Sequence, residues 1–418
     1  MGLTLTNSRS WLDRAWQVLA CDGAQTLSKS HTRNPDEYPV YIQQGRGAYV
    51  QDVDGQTYID YLGALGPILL GYAYPAVTEA VIEQVRKGTL FSLEGTLTVE
   101  VAELLTQLIP GAEKVRFVKT GSAATSAAVR VARAFTYRNI ILVASNSYHG
   151  QDNYFQVTQR GRGEYGIPSN ELCNIMQFEY NDLADLARAI KICRHVGEPV
   201  AAIIIEPART FEATFEFLQG ARKLCDEQGA LLIYDEVVTF GRWPGLTYAA
   251  YSGVTPDLIC LGKALGNGMP IGAVTGRRAV MDAFDRCFIS GTYHGELSAL
   301  AAAKAVLTIL QSEPVVEHIW AQGEKLRAGF RGAMNRHDIP ALAEGVPPCW
   351  RPTFTGPRAH ELQMAFMSLC AERGILPGLL TYVGYSHKDA EALRTVQVYY
   401  QVAAELEKLL DSPPGVRP

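Results

Sequence analysis

The chain has 418 residues, 47% of them hydrophobic and 19% charged, with a net charge of −5. That length buries a large core and predicts more than one domain, while the acid excess, with no long basic run, gives nucleic-acid binding no electrostatic support. The eight cysteines are scattered, with no CxxC pair and no cysteine–histidine cluster at metal-ligand spacing, so no metal site is expected and the thiols read as reduced core residues of a cytoplasmic protein.

The opening MGLTLTNSRSWLDRAWQVLA interrupts its apolar positions with charge. Neither a signal peptide nor a membrane span is expected there, but a short amphipathic docking helix is. Segments 47–50 and 57–60 flank Asp54 and Gly55, a hairpin signal. From residue 75 to about 280, strand-like runs alternate with helical patterns, which implies βαβ units and a mostly parallel sheet. Among these, 115–118, 140–143, 231–234 and 258–261 read as strands and 124–134 as a helix, with a further helix at 297–310. The proline-rich segment 340–357 predicts strand edges and turns, and 360–373 and 389–410 read as amphipathic helices on a small sheet. The domain expectation is 1–74 for an N-terminal arm and part of a small domain, 75–310 for a large domain, and 311–418 for the rest of the small one.

Segment 230–281 holds the chemistry. Asp235 closes a short apolar run, at the strand end where open α/β sheets bind ligands. Lys263 ends a second such run among Gly262, Gly266 and Gly268. Taken singly, these are a helix-capping acid and a loop lysine. Taken together they match what pyridoxal phosphate (PLP) requires: an amine to hold its aldehyde and an anion to keep its ring nitrogen protonated.

The motifs DEV followed by TPDLICLGKALGNGMPIGA, with DVDGQTYIDYLGALGPILLGYAYP, FVKTGSAATSAAVRVARAFT, YHG and IIEP, cover nearly the whole chain. In them the chain resembles a class III aminotransferase of PLP fold type I, nearest the branch of glutamate-1-semialdehyde aminomutase. The resemblance implies an α/β fold: a large domain with a mostly parallel seven-stranded sheet flanked by helices, and a small α+β domain from the N- and C-terminal segments. It implies PLP on Lys263, with Asp235 at the ring nitrogen, Thr120, Gly121 and Ser122 at the phosphate on a helix N-terminus, Tyr148 stacked on one ring face and Val237 on the other. Thr292 corresponds to the threonine that reaches the neighbouring subunit's phosphate, which makes the protein a homodimer with shared active sites. Plainer readings are a serine N-cap at Ser122 and a helix-preceding residue at Thr292.

The implied reaction moves an amino group between a small-molecule amino donor and a carbonyl substrate through a Lys263 Schiff base, and a nucleotide-linked substrate stays open. Alternatives are an intramolecular 2,1-aminomutase, a decarboxylase and a catalytically silent PLP scaffold. Two departures bear on the substrate: TGSAAT stands for SGTEAT, and His294, Gly295, Glu296 and Leu297 stand for SGNP. Candidate substrate residues are Arg33 in the N-terminal arm, which would take a carboxylate bidentately, Glu296 and Arg209, with Arg242 as a further anchor. Loop 151–173, carrying Arg160, Arg162 and Tyr165, has a composition that suits a lid.

Overall fold

The computed structural model describes residues 3–158 and 165–411. The chain opens with α1 (Thr6–Val18), β1 (Ile42–Arg46), β2 (Tyr49–Asp52) and β3 (Thr57–Asp60), then α2 (Pro75–Lys87), α3 (Thr96–Leu108), β4 (Lys114–Val118), α4 (Gly121–Thr136) and β5 (Ile140–Ala144). It continues through α5 (Ser169–Leu172), β6 (Ile175–Phe178), α6 (Leu183–His195), β7 (Val200–Ile205), α7 (Phe215–Gln228), β8 (Leu231–Asp235), α8 (Tyr248–Ser252), β9 (Leu258–Leu261) and β10 (Gly272–Gly276). There follow α9 (Arg278–Met281), α10 (Leu297–Ser312), α11 (Val315–Arg336), β11 (Ala341–Val346), β12 (Cys349–Phe354), α12 (Ala359–Glu372), β13 (Ile375–Leu376), β14 (Thr381–Tyr382) and α13 (Asp389–Asp411). They form two units, Pro75–Val316 and, from the chain's two ends, Met1–Tyr74 with Glu317–Pro418. The boundary falls within α11 and not at 310, since α10 runs past 310 while packed on α2 and α3.

The larger unit is built on a seven-stranded sheet in the order β4-β10-β9-β8-β7-β5-β6. Only β10 runs against its neighbours, β4 and β9. Every residue of β5, β7, β8, β9 and β10 is buried, as expected of a sheet covered by helices on both faces. Helix α4 lies on this sheet through small residues, Ala124, Ala127, Ala128 and Ala132, with Val129 and Val131. Helix α10 is apolar almost all round and is buried against α2, α3 and the short turn Lys263–Gly266.

In the smaller unit β1, β2 and β3 form an antiparallel meander, to which β13 adds in parallel beside β3. The β2–β3 turn places Gly55 at φ 87°, a conformation glycine adopts without steric penalty. Its Asp54 accepts the amides of Asn7 (2.7 Å) and Ser8 (2.9 Å) at the start of α1, so the hairpin supplies the cap that helix lacks locally. The proline-rich segment forms β11 and β12, with Cys349 and Trp350 also paired to β14. Pro352 lies beyond those two residues, where its missing N–H breaks no ladder on that side. Phe330, Trp350, Phe354, Phe366 and Tyr399 pack ring against ring beneath this sheet.

All eight cysteines are free, but only Cys193, Cys225, Cys260, Cys349 and Cys370 are buried. Cys21 and Cys173 are exposed and Cys287 is intermediate, because they lie in loops and not on the core faces of elements. Arg160 and Arg162 of the expected lid lie outside the described residues, and Tyr165 is exposed. No single helix among the described residues is long and apolar enough to cross a membrane.

Candidate active site

Strands β8 and β9 run parallel with Asp235 opposite Cys260, so Asp235 and Lys263 leave the same edge of the sheet on adjacent strands. This register brings the two groups together across a sequence gap bridged by α8. Lys263 opens its turn with φ 40°, a left-handed backbone uncommon for a lysine and held by the packed turn around it. Burial pushes the Lys263 ammonium below the ordinary lysine range. Asp235 and Glu206 pull it back up, while Arg242 and Arg209 add to the lowering.

Asp235 is itself held from two sides. Its Oδ2 lies 2.9 Å from His149 Nδ1, and its Oδ1 accepts the Val237 amide at 3.2 Å. His149 is 2% exposed and its Nε2 has no partner among the described residues. A neutral ring therefore places its proton on Nδ1, facing the carboxylate. Sequence reasoning took the YHG motif for its tyrosine and missed this histidine. No spacing rule links position 149 to 235, which meet only because β5 and β8 end on the same side of the sheet.

At the C-terminal end of β4, Thr120 caps α4 by accepting the Ala123 amide (3.0 Å). The first turn of that helix presents Gly121 and Ser122, and their free amides and the helix dipole suit an anion. The YHG loop is laid over this turn: Thr125 donates to the His149 carbonyl (2.5 Å), and the Gln151 amide donates to Ser122 Oγ (3.3 Å). Gly150 has φ 109°, and a Cβ there would lie 2.5 Å from Ser122 Oγ. A Cβ on Gly121 would lie 2.8 Å from Val237 Cγ1, and one on Gly262 3.3 Å from the same atom. Val237 is thus the floor shared by the phosphate turn and the lysine turn. Tyr148, whose amide is fixed by Glu206 (2.8 Å), keeps 47% of its surface exposed, leaving its ring free to stack.

The other candidate residues are placed as follows. Arg209 is part-exposed, donates to the Asn146 carbonyl (3.3 Å) and lies 3.8 Å from Glu206. Arg242 is wholly buried and donates to the Val238 carbonyl (3.1 Å), which makes it part of the scaffold and not an open anchor. Thr292 is exposed in the turn before α10. Both oxygens of Glu296 are engaged, Oε1 by the Ser298 amide (2.7 Å) and Oε2 by the Ala299 amide (3.2 Å) and Lys119 Nζ (2.9 Å). That leaves it capping α10 instead of reaching for a substrate. Arg33 belongs to the smaller unit, where it is exposed on a cavity of about 990 Å³ walled by residues 32–37 and α12 with side chains from α13.

The family described as Aminotransferase class-III matches this chain over residues 30–342. The chain belongs to that family. This aminotransferase is similar to the FumI protein of Sphingopyxis sp. MTA144, solved in its PLP internal aldimine form, with 29% identity, TM-score 0.91 and coverage of 97% of this chain and 98% of that one. It is also similar to an omega-transaminase from Sphaerobacter thermophilus, with 26% identity, TM-score 0.87 and coverage of 95% and 97%. A β-phenylalanine aminotransferase from Variovorax paradoxus matches with 26% identity, TM-score 0.83 and coverage of 96% and 94%. A glutamate-1-semialdehyde aminomutase from Pseudomonas aeruginosa, at 21% identity and TM-score 0.83, shares the fold. The aminotransferase is a PLP-dependent enzyme with the fold type I architecture, acting on small-molecule substrates. Its residues fit that cofactor. Two glycines let the phosphate turn and the lysine turn close onto Val237, a helix N-terminus offers amides to an anion, and a buried carboxylate ends the strand next to β9, which leads into Lys263.

Proposed function

We propose that Lys263 is the lysine through which this aminotransferase transfers an amino group from donor to carbonyl acceptor. The observation that carries this reading is the register of β8 and β9, which brings Asp235 and Lys263 to one end of the sheet, with Val237 packed against Gly121 at the N-terminus of α4. Bound PLP supplies an electron-withdrawing ring that draws charge away from the bond broken at the substrate.

The chain supplies the rest. Thr120, Gly121 and Ser122 hold the phosphate at the helix N-terminus. Asp235, oriented by His149, keeps the ring nitrogen protonated, and Tyr148 and Val237 confine the ring between them. Lys263 anchors the cofactor between turnovers. Its free amine would move the proton at the substrate's α-carbon, as general base and then general acid, and its lowered pKa favours that free form. Arg209, held loosely by Glu206, is the carboxylate anchor within the larger unit. The enzyme works as a homodimer in which Thr292 reaches the partner's phosphate, and its free thiols suit a reducing cytoplasm.

Borohydride reduction of the holoenzyme followed by peptide mass mapping tests the assignment. The reading expects the cofactor mass on the Lys263 peptide, and turnover lowered by about a thousandfold or more in Lys263→Ala, the scale of losing a group that acts in the transition state. A reduced cofactor on another lysine, or normal turnover in the variant, rejects it. Amino donors to assay are alanine, glutamate, β-phenylalanine and simple arylalkyl amines.

A further inference from the structure

The departure from the aminomutase pattern at 294–297 has a structural counterpart in a single ion pair. Glu296 is the N-cap of α10, fixed there by the amides of Ser298 and Ala299. Its Oε2 also takes Lys119 Nζ at 2.9 Å, with only 15% of the Glu296 side chain and 21% of the Lys119 side chain exposed. Lys119 immediately precedes Thr120, the cap of α4 and first residue of the phosphate turn. On the other flank of that turn, β10 presses against the chain: a Cβ on Gly272 would lie 2.5 Å from the Thr120 carbonyl oxygen. The backbone entering the cradle is thus held by β10 on one side and by the Glu296 carboxylate on the other.

The carboxylate's own support carries Thr292. The His294 amide donates to the Gly291 carbonyl (3.0 Å) and the Glu296 amide to the Tyr293 carbonyl (3.1 Å), a tight double turn. Gly291 lets the His294 ring lie against the turn, since a Cβ there would lie 2.6 Å from His294 Nε2. The Leu297 amide is anchored in turn on the Thr89 carbonyl (2.8 Å). One partly buried ion pair therefore joins the N-terminal turn of α4 to the turn that presents Thr292.

We propose that Glu296 is a positioning residue for cofactor phosphate, clamping Lys119 so that the Thr120 to Ser122 cradle and the Thr292 turn are held in fixed relation. This rests on the reading that the cradle holds the phosphate. A partly buried ion pair that fixes the geometry of donors acts through preorganisation.

The alternative role for this pair is through-space charge, and it predicts the opposite sign for one variant. If Lys119 only attracted the phosphate, removing its neutralising partner would tighten PLP binding. The test uses full-length apoprotein stripped of PLP and titrated with it, read by absorbance and by quenching of protein fluorescence. Its variants are Glu296→Ser, which keeps a competent N-cap, Lys119→Met, and the two combined. The clamp expects both single variants to weaken PLP by about fivefold to tenfold, and the double variant to weaken it no further than either, the pattern of two residues acting through one interaction. Apoprotein melting should stay within about 2 °C of the parent, because Glu296→Ser keeps the α10 cap and Lys119→Met keeps the apolar stem of the side chain. Tighter binding in Glu296→Ser, additive losses, unchanged affinity, or a melting loss without an affinity loss would each overturn it. Ser122→Ala is run alongside. If it leaves PLP affinity untouched, the cradle reading fails and the clamp with it, whereas a weakened Ser122→Ala beside unaffected clamp variants rejects the clamp alone.

Discussion

At the scale of single residues, the decisive arrangement is a carboxylate with both oxygens spoken for. Asp235 is buried, and His149 and the Val237 amide hold it in one orientation. His149→Ala should leave the fold intact while lowering kcat/KM by about ten- to a hundredfold, the range seen when the partner that orients a directly acting group is removed. The accompanying readout is the absorbance maximum of bound PLP, which should shift as the ring nitrogen loses its fixed partner. An unchanged spectrum with unchanged kinetics would reduce His149 to core packing. Lys263, Asp235 and the Thr120 to Ser122 turn were legible in the sequence because each sits at a strand end beside glycine or in a family motif. His149 and Lys119 were not, since their roles come from contacts with residues 86 and 177 positions away.

At the scale of elements, β10 is closely fitted against the phosphate turn. Gly272 has the Thr120 and Leu261 carbonyl oxygens 2.5 and 3.1 Å from where a Cβ would stand, and both are backbone atoms that cannot rotate aside. Gly272→Ala should destabilise the larger unit by about 1–3 kcal/mol, the usual penalty for overpacking, measured by denaturant titration. It should also weaken PLP, because the strand would push on Thr120. Helix α8 depends on a remote cap: Glu236, fully buried, accepts the amides of Tyr248 (2.5 Å) and Ala249 (2.9 Å) and the Thr239 hydroxyl (2.8 Å). Burial raises its pKa to about 7 in spite of those donors. With the folded value above the ordinary carboxylate value, the folded state holds the extra proton. Glu236's contribution is therefore full below about pH 4.3 and is lost as pH rises through about 7. Thermal unfolding from pH 5 to 8 should show that decline in the parent and a flatter profile in Glu236→Gln, whose overall melting temperature falls because an amide cannot accept from all three donors. The hairpin at Asp54 and Gly55, the strands at 231–235 and 258–261 and the final helix followed from local pattern alone. The proline-rich segment was readable as strand and turn, but not that Pro352 would lie beyond the β14 pairing, because partner length is set by another part of the chain.

At the scale of the whole molecule, the shared-site reading makes a prediction that single variants cannot. On that reading, Lys263→Ala disables the site of its own chain, whereas Thr292→Ala impairs the partner's. Mixing the two variants under conditions of subunit exchange should yield heterodimers with one intact site, giving about a quarter of parental turnover at statistical mixing, well above the sum of the two homodimers. PLP titration of the mixture should recover a class of full-affinity sites. No recovery beyond the parents' sum would show that Thr292 serves its own chain or none.

What this chain determined by itself was the alternation of apolar strands and helices, the lysine and acid at strand ends, and the motif set that assigns the family. These depend on residues near one another in sequence, where periodicity and steric demands act directly. Only the tertiary structure decided that His149 backs Asp235, that Arg242 is buried scaffold, and that Glu296 caps α10 while pairing with Lys119. The physical reason is common to His149 and Glu296. A polar side chain's role is set by which partner satisfies it, and in a parallel α/β sheet that partner arrives through a crossover, from a strand or helix whose distance along the chain carries no local signal.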